Sequence, residues 1–253
     1  MRTLTTILLF LALTVVSKNI HSAENPLTVA AASDLTFALN EIVAGFEKDT
    51  GIKTVLSFGS TGILALQIEN GAPFDIFLAA NEGYMNRLRE KGLISPDSMQ
   101  LYAQGRIVLA VNKKSGVKAK TPEALLDPKI KKIAIAHPDH APYGIAAKEV
   151  FVKLGLWDRI KPKLVYGENI RQTLQFIQTG NAQAGIVALS VASVPEIEYT
   201  SIDSSLHNPL NQSVGIIKTT KVEKEARTFI EYMNSPNSRL IMKRYGFLLP
   251  GEF

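Results

Sequence analysis

An α/β fold divided into two lobes is the architecture this sequence predicts, and three observations carry the prediction. Apolar runs of four to seven residues alternate with segments of helical spacing along almost the whole chain. This is the rhythm of strand–helix units around a mostly parallel sheet. The rhythm breaks near Gly105 and resumes beyond a Lys/Gly/Pro-rich stretch at 112–132, which separates the units into two sets. Four of the apolar runs end in small hydroxyl or amide residues and pass directly into a helix, at 27–33, 54–61, 133–143 and 164–170. Ligands of open α/β sheets sit beyond the carboxyl ends of the strands, so these four junctions mark the functional edge.

Taken in order, the chain begins with a segment to set aside. Met1-Arg2, an apolar run at 7–16 and the small-residue site His21-Ser22-Ala23 read as a signal peptide over 1–23, cleaved near Ala23. The run is too short for a comfortable membrane span. The expected location is therefore periplasmic, with 230 residues in the mature chain. A strand follows at 27–32, then a helix whose apolar face is Leu35, Leu39, Ile42, Val43 and Phe46, stopped by Gly51. The next strand is 54–58. Leu64 and Ile68 repeat the helical spacing up to Gly71, and 76–80 is the third strand. In the second set, strands are expected at 107–111, 133–136 and 184–189. Helices are expected through Ile145, Val150 and Leu154 and through Ile170, Leu174 and Ile177, ending at Gly155 and Gly180. A Ser/Asn/Pro-rich loop at 201–213 leads to a strand at 214–217 and two terminal helices near 222–233 and 236–245. Lobe 1 is then 24–105 plus about 214–253, lobe 2 is about 106–213, and the chain crosses between them twice.

Composition narrows the function classes. Without its first 23 residues the chain carries 26 basic and 23 acidic side chains, a net charge of +3, with no long Lys/Arg cluster. That does not support a nucleic-acid groove. Cysteine is absent, which excludes thiol catalysis, Cys-ligated zinc and a thiol-linked lipid anchor, and leaves the fold to its core alone.

The junctions point to an anion. A helix N-terminus presents unpaired N–H groups and a partial positive charge, and several converging on one point bind an anion without a charged side chain. Ser33-Asp34 forms the first junction and suits helix capping as well as ligand contact. At 58–62 (FGSTG), Ser60 and Thr61 supply more hydroxyl than a cap requires, and Gly59 and Gly62 permit close approach of backbone. The segment lacks both the GK[ST] ending of a P-loop and the GxSxG spacing of a hydrolase elbow. At 137–144 (HPDHAPYG) the prolines hold a rigid loop expected to point Tyr143 and the N–H groups of Gly144 and Ile145 outward. The two His and one Asp there lack the helical spacing of a metal site. At 168–171 (ENIR), Asn169 can cap and the N–H groups of Ile170 and Arg171 are expected to be free, with Arg171 facing solvent.

At these residues the chain resembles the periplasmic molybdate-binding proteins of ABC transporters. The resemblance runs through LTVAAASDL, SFGSTG, GAPFD, HPDHAPYG, ENIRQTLQFIQ, AGIVALS and RYGF in that order, and covers essentially all of the mature chain. It implies a two-lobed α/β periplasmic-binding-protein fold of type II. It also implies a tetrahedral oxyanion, molybdate or tungstate, in the interlobe cleft and an inner-membrane ABC permease as partner. The chain is expected to be monomeric, without catalysis, cofactor, cation site or nucleic-acid partner. Carried over by position, the resemblance gives a hydroxyl and N–H from Ser33, a hydroxyl from Thr61 and a backbone N–H from Ile170. One branch of the family places a Tyr phenol within AGIVALS, where this chain has Ala188, so Tyr143 is inferred to replace it. Ser60 and Asp34 stand beside these as secondary candidates. The Asp34 carboxylate would repel a dianion, and it is expected to cap its helix with the side chain turned away. Such an acceptor-free shell would reject protonated phosphate, leaving cavity size to separate molybdate from sulfate. Three other readings are another oxyanion such as sulfate, an exported hydrolase using Ser33, Ser60 or Thr61, and a sensor domain reporting to a receptor.

Overall fold

The computed structural model describes residues 26–253; the expected signal peptide lies outside them. The first strand, β1 (Leu27–Ala32), is apolar except for the half-buried Thr28 because it is covered on both faces. Val29 and Ala31 join one core cluster while Ala30 joins another. After a 3-10 turn at Ser33–Leu35, α1 (Thr36–Thr50) buries Ala38, Leu39, Ile42, Val43 and Phe46. Gly51 ends it in the left-handed region at φ 76°, its N–H bonded to the Glu47 carbonyl at 3.0 Å. Then come β2 (Thr54–Gly59), α2 (Thr61–Glu69), β3 (Ile76–Ala79) and α3 (Glu82–Glu90). Next are β4 (Gln100–Gly105) and, one residue later, β5 (Ile107–Asn112).

The second set follows: β6 (Ile133–Ala136), α4 (Pro142–Lys153), α5 (Trp157–Ile160), β7 (Leu164–Gly167), α6 (Ile170–Gln178), β8 (Ala184–Ala188), α7 (Leu189–Ala192) and β9 (Ile197–Ser201). The chain returns through β10 (Leu210–Ile216) and closes with α8 (Glu223–Met233) and α9 (Pro236–Arg244). Two five-stranded sheets result, in the orders β2-β1-β3-β10-β4 and β7-β6-β8-β5-β9. This is the two-lobed α/β fold expected. The first sheet is sandwiched between α1, α8 and α9 on one face and α2 and α3 on the other.

The sheets are less parallel than the alternation suggests. In each, two pairings are parallel and two antiparallel, and the antiparallel ones all involve β5 or β10. These two strands follow the interlobe crossings. A strand that enters a lobe across the cleft starts at the edge where its neighbours end, so it must run the other way. Further elements escaped the sequence pattern, the one-turn helices α5 and α7 among them. The edge strands β4 and β9 carry exposed, partly polar faces, and α3 is a mostly polar helix that buries only Met85 and Leu88.

Candidate functional site

The carboxyl ends of β1, β2, β6 and β7 meet at the interface between the two sheets, and all four junctions contribute to one cavity. Its lining includes Ser33 and Asp34 from the first, Ser60 and Thr61 from the second, Tyr143 from the third and Ile170 from the fourth, so all six candidate residues come together. Its volume is about 10 Å³, room for the centre of one small group and not for an organic substrate. Cavities of about 510 and 560 Å³ lie elsewhere, along α4 and beside the Arg106–Gly246 contact, and share none of these residues.

The lobes are closed over it. The Gly62 N–H donates to the His140 carbonyl at 2.9 Å, and Ser60 Oγ pairs with His140 Nδ1 at 2.8 Å. Ser190 Oγ donates to the Asp34 carbonyl at 2.8 Å. A side chain at Gly62 would not fit, because its Cβ would lie 2.7 Å from the His140 carbonyl oxygen. On the rim, the Arg171 guanidinium sits 4.5 Å from the centre of the Phe37 ring across the cleft. It is therefore half-buried, not on the solvent face, and desolvation lowers its pKa.

Three neutral donors remain for a ligand. The Ser33 hydroxyl has no hydrogen-bond partner among the described residues, while its carbonyl accepts from Thr36 Oγ1 at 2.7 Å. Thr61 Oγ1 accepts the Ala80 N–H at 3.1 Å, which orients the hydroxyl and leaves its proton to give. At the start of α6, Asn169 Oδ1 caps the N–H groups of Arg171 at 3.0 Å and Gln172 at 3.1 Å. The Arg171 N–H is thus occupied, contrary to expectation, and the Ile170 N–H is the one left over. The third junction also differs from expectation. The Gly144 and Ile145 N–H groups turn back to the Ala141 carbonyl, at 2.9 and 3.0 Å.

Asp34 departs most from the sequence reading. It caps nothing: no side-chain bond closes the turn at Ser33–Leu35. Its side chain turns into the interface and is 1% exposed. Oδ2 accepts from Gln212 Nε2 at 2.6 Å and from the Tyr143 hydroxyl at 2.9 Å. Gln212 also reaches the Tyr143 oxygen at 3.0 Å, and its own carbonyl accepts from the Tyr102 hydroxyl at 2.8 Å. Gly105 makes room for this cluster, since a Cβ there would overlap the Tyr143 hydroxyl. Oδ1 is buried without a partner. Burial raises the carboxyl from 3.8 to about 6, against the pull of the Gln212 and Tyr143 hydrogen bonds. Burial first, and then the Asp34 charge, push both phenols well above their ordinary range, so they stay neutral donors. The phenol of Tyr143 therefore lies at the cavity but is committed to Asp34. Gln212 and Tyr102 carry no junction motif and were invisible in the sequence. Ser60 is likewise engaged, by His140.

Among the described residues no group of His, Asp and Glu could hold a metal ion. The arrangement suits a small anion: neutral donors at strand ends and a helix terminus, in a closed cleft. The comparisons agree. A family model described as bacterial extracellular solute-binding protein matches residues 27–248. The molybdate-binding protein ModA of Azotobacter vinelandii is 37% identical over 223 residues, 87% of this chain and 88% of that protein. The Escherichia coli ModA is 32% identical over 244 residues, covering 92% and 93%. A solved Azotobacter vinelandii periplasmic molybdate-binding protein superposes with a TM-score of 0.83 at 31% identity, over 88% of this chain and 99% of that one. On this fold, these site residues and these similarities, the chain belongs to the bacterial extracellular solute-binding proteins, in the family of the periplasmic molybdate-binding proteins.

Proposed function

We propose that this chain captures molybdate, and tungstate with it, by closing its two lobes, and delivers the anion as a monomer to an inner-membrane ABC permease. Binding of a tetrahedral oxyanion and hand-over to a permease is the family's task, performed without chemical change. The observation that carries the reading is the small cavity that Ser33, Thr61 and Ile170 line together, with no cation in its lining. A dianion out of water needs every lone pair satisfied. Fixed neutral donors do this through charge-assisted hydrogen bonds. Relatives named for molybdate, at 32–37% identity over nearly the full length, support that anion over others. A sulfate-binding protein of Mycobacterium tuberculosis shares the fold at 12% identity and argues for the architecture alone.

Calorimetric titration with molybdate, tungstate, sulfate and phosphate tests the proposal. The expected outcome is saturable one-to-one binding of the first two, weaker binding of sulfate because of its shorter bonds to oxygen, and the weakest with phosphate. No heat with molybdate and tungstate sinks the reading, and turnover of an ester would favour the hydrolase instead.

A further inference from the structure

Asp34 poses a problem for any dianion site. Among the described residues it is the one acid lining the cavity, it is fully buried, and one of its oxygens has no donor. No cation bonds it. The groups packed around it are Tyr143 from α4, Tyr102 from β4, Gln212 from β10 and Ser190 from α7. From α6, Arg171 is engaged with the Phe37 ring, and His140 faces Ser60. An ionised Asp34 would set a like charge against the ligand in a closed cleft, with Oδ1 still unpaired.

Resting on the oxyanion reading above, we propose that Asp34 couples anion binding to a proton. As the lobes close on the dianion, Oδ1 takes one proton from solvent. The neutral carboxylic acid then completes the donor shell, so one proton and one anion are bound together.

The geometry gives each oxygen a role. Oδ2 stays the acceptor for Gln212 and Tyr143, while Oδ1, where no donor arrives, becomes an O–H donor inside the cavity. The carboxyl is raised to about 6 by burial alone, and an adjacent dianion raises it further. Binding and protonation are then reciprocal. Affinity therefore falls as pH rises, by about tenfold per unit between the pKa of the unliganded carboxyl and the higher pKa of the liganded one, and levels off on either side. A carboxylate that stayed ionised would make the opposite choice. Its free oxygen would accept from a protonated anion such as hydrogen phosphate and reject molybdate.

The test is calorimetry of the mature protein with sodium molybdate at about pH 7.5 in buffers of different ionisation heat, repeated from about pH 6.5 to about pH 8.5, where molybdate remains a dianion. Wild type is expected to take up close to one proton per anion. Asp34→Asn, which keeps a donor in place of Oδ1, is expected to bind with no proton uptake and no slope with pH. Should that variant fail to fold, the infrared difference spectrum of wild type with and without molybdate should gain a protonated-carboxyl C=O stretch. Binding without proton uptake in wild type overturns the proposal. So does equal uptake in Asp34→Asn, which would place the proton elsewhere, as on His140. Preference for phosphate over molybdate overturns it too. Absence of any molybdate or tungstate heat at every pH is a different failure, that of the oxyanion reading itself.

Discussion

Thr61 and Ser33 bring hydroxyls to the same cavity by different means. Thr61 is oriented by accepting the Ala80 N–H, whereas the Ser33 hydroxyl is free to turn. Tyr143 is bound more tightly than either, between Asp34 and Gln212. Tyr143→Phe removes one of the two donors to Asp34 Oδ2 but none of the three donors left for a ligand. That bond pulls the Asp34 carboxyl down, so its loss should make Asp34 easier to protonate, and molybdate affinity near neutral pH should hold or rise. The folded protein should lose about 1–3 kcal/mol from the buried acceptor left short of a donor. Titration and thermal unfolding check this, and a fall in affinity would place the phenol on the anion instead. That these junctions meet at one cavity was legible because strand-end hydroxyls and helix-start amides are local signals. The orientation of Asp34 was not, because it is decided by Gln212, 178 positions away, and Tyr143, 109 positions away. Capping and burial look alike until the second lobe is in place.

Among the elements, α6 reaches the cavity through its first residue. Asn169 satisfies the second and third N–H groups and leaves the first, that of Ile170, facing the cavity edge. This makes a backbone donor open to mutation. Proline is accepted at the first helical position, where its missing N–H costs the helix nothing, and Asn169 already has the extended φ of −150° that a following proline demands. Ile170→Pro should keep the helix by circular dichroism, with some stability lost from the buried Ile side chain. It should weaken the anion by about 1.5–3 kcal/mol. Undiminished affinity would show that the Ile170 N–H is not a ligand. Elements with continuous apolar runs were readable from sequence to within a residue or two, β1, β6 and β8 among them. β4 and β9 were not, because a strand with one wet face and one neighbour needs no apolar run. Nor could periodicity give strand direction, since β5 and β10 run antiparallel for a reason of connectivity.

Closure is a property of the whole molecule, and Gly62 is where it can be opposed without harming a lobe. Alanine is better than glycine in a helix, by up to about 1 kcal/mol in the interior and by less in the first turn where Gly62 sits, so Gly62→Ala should hold or slightly raise the melting temperature of the unliganded protein. The same Cβ would press on the His140 carbonyl of the other lobe and displace the bond that Gly62 makes to it. The anion should therefore bind more weakly. Small-angle scattering should show the variant remaining extended at molybdate concentrations that compact wild type. Equal compaction of both would show that this contact does not limit closure.

The position of β10 also bears on how the chain comes to be folded. β10 lies between β3 and β4 and, among the described residues, is the one strand that pairs with β4 in its sheet, yet it is separated from β3 by 130 residues of chain. The sheet of β5 to β9 is drawn from one continuous stretch and can assemble as soon as that stretch is made. The other sheet stays unfinished until β10, at 210–216 of 253 residues, arrives. Long-range pairing of this kind is slow, because the loop must close before the contacts reward it. During synthesis the first lobe thus begins early and finishes last, and the strand that completes it also carries Gln212, the residue that positions Asp34. A chain cut short before β10 would lack both the finished sheet and the organised cavity, so a half-made molecule cannot pass for a working one.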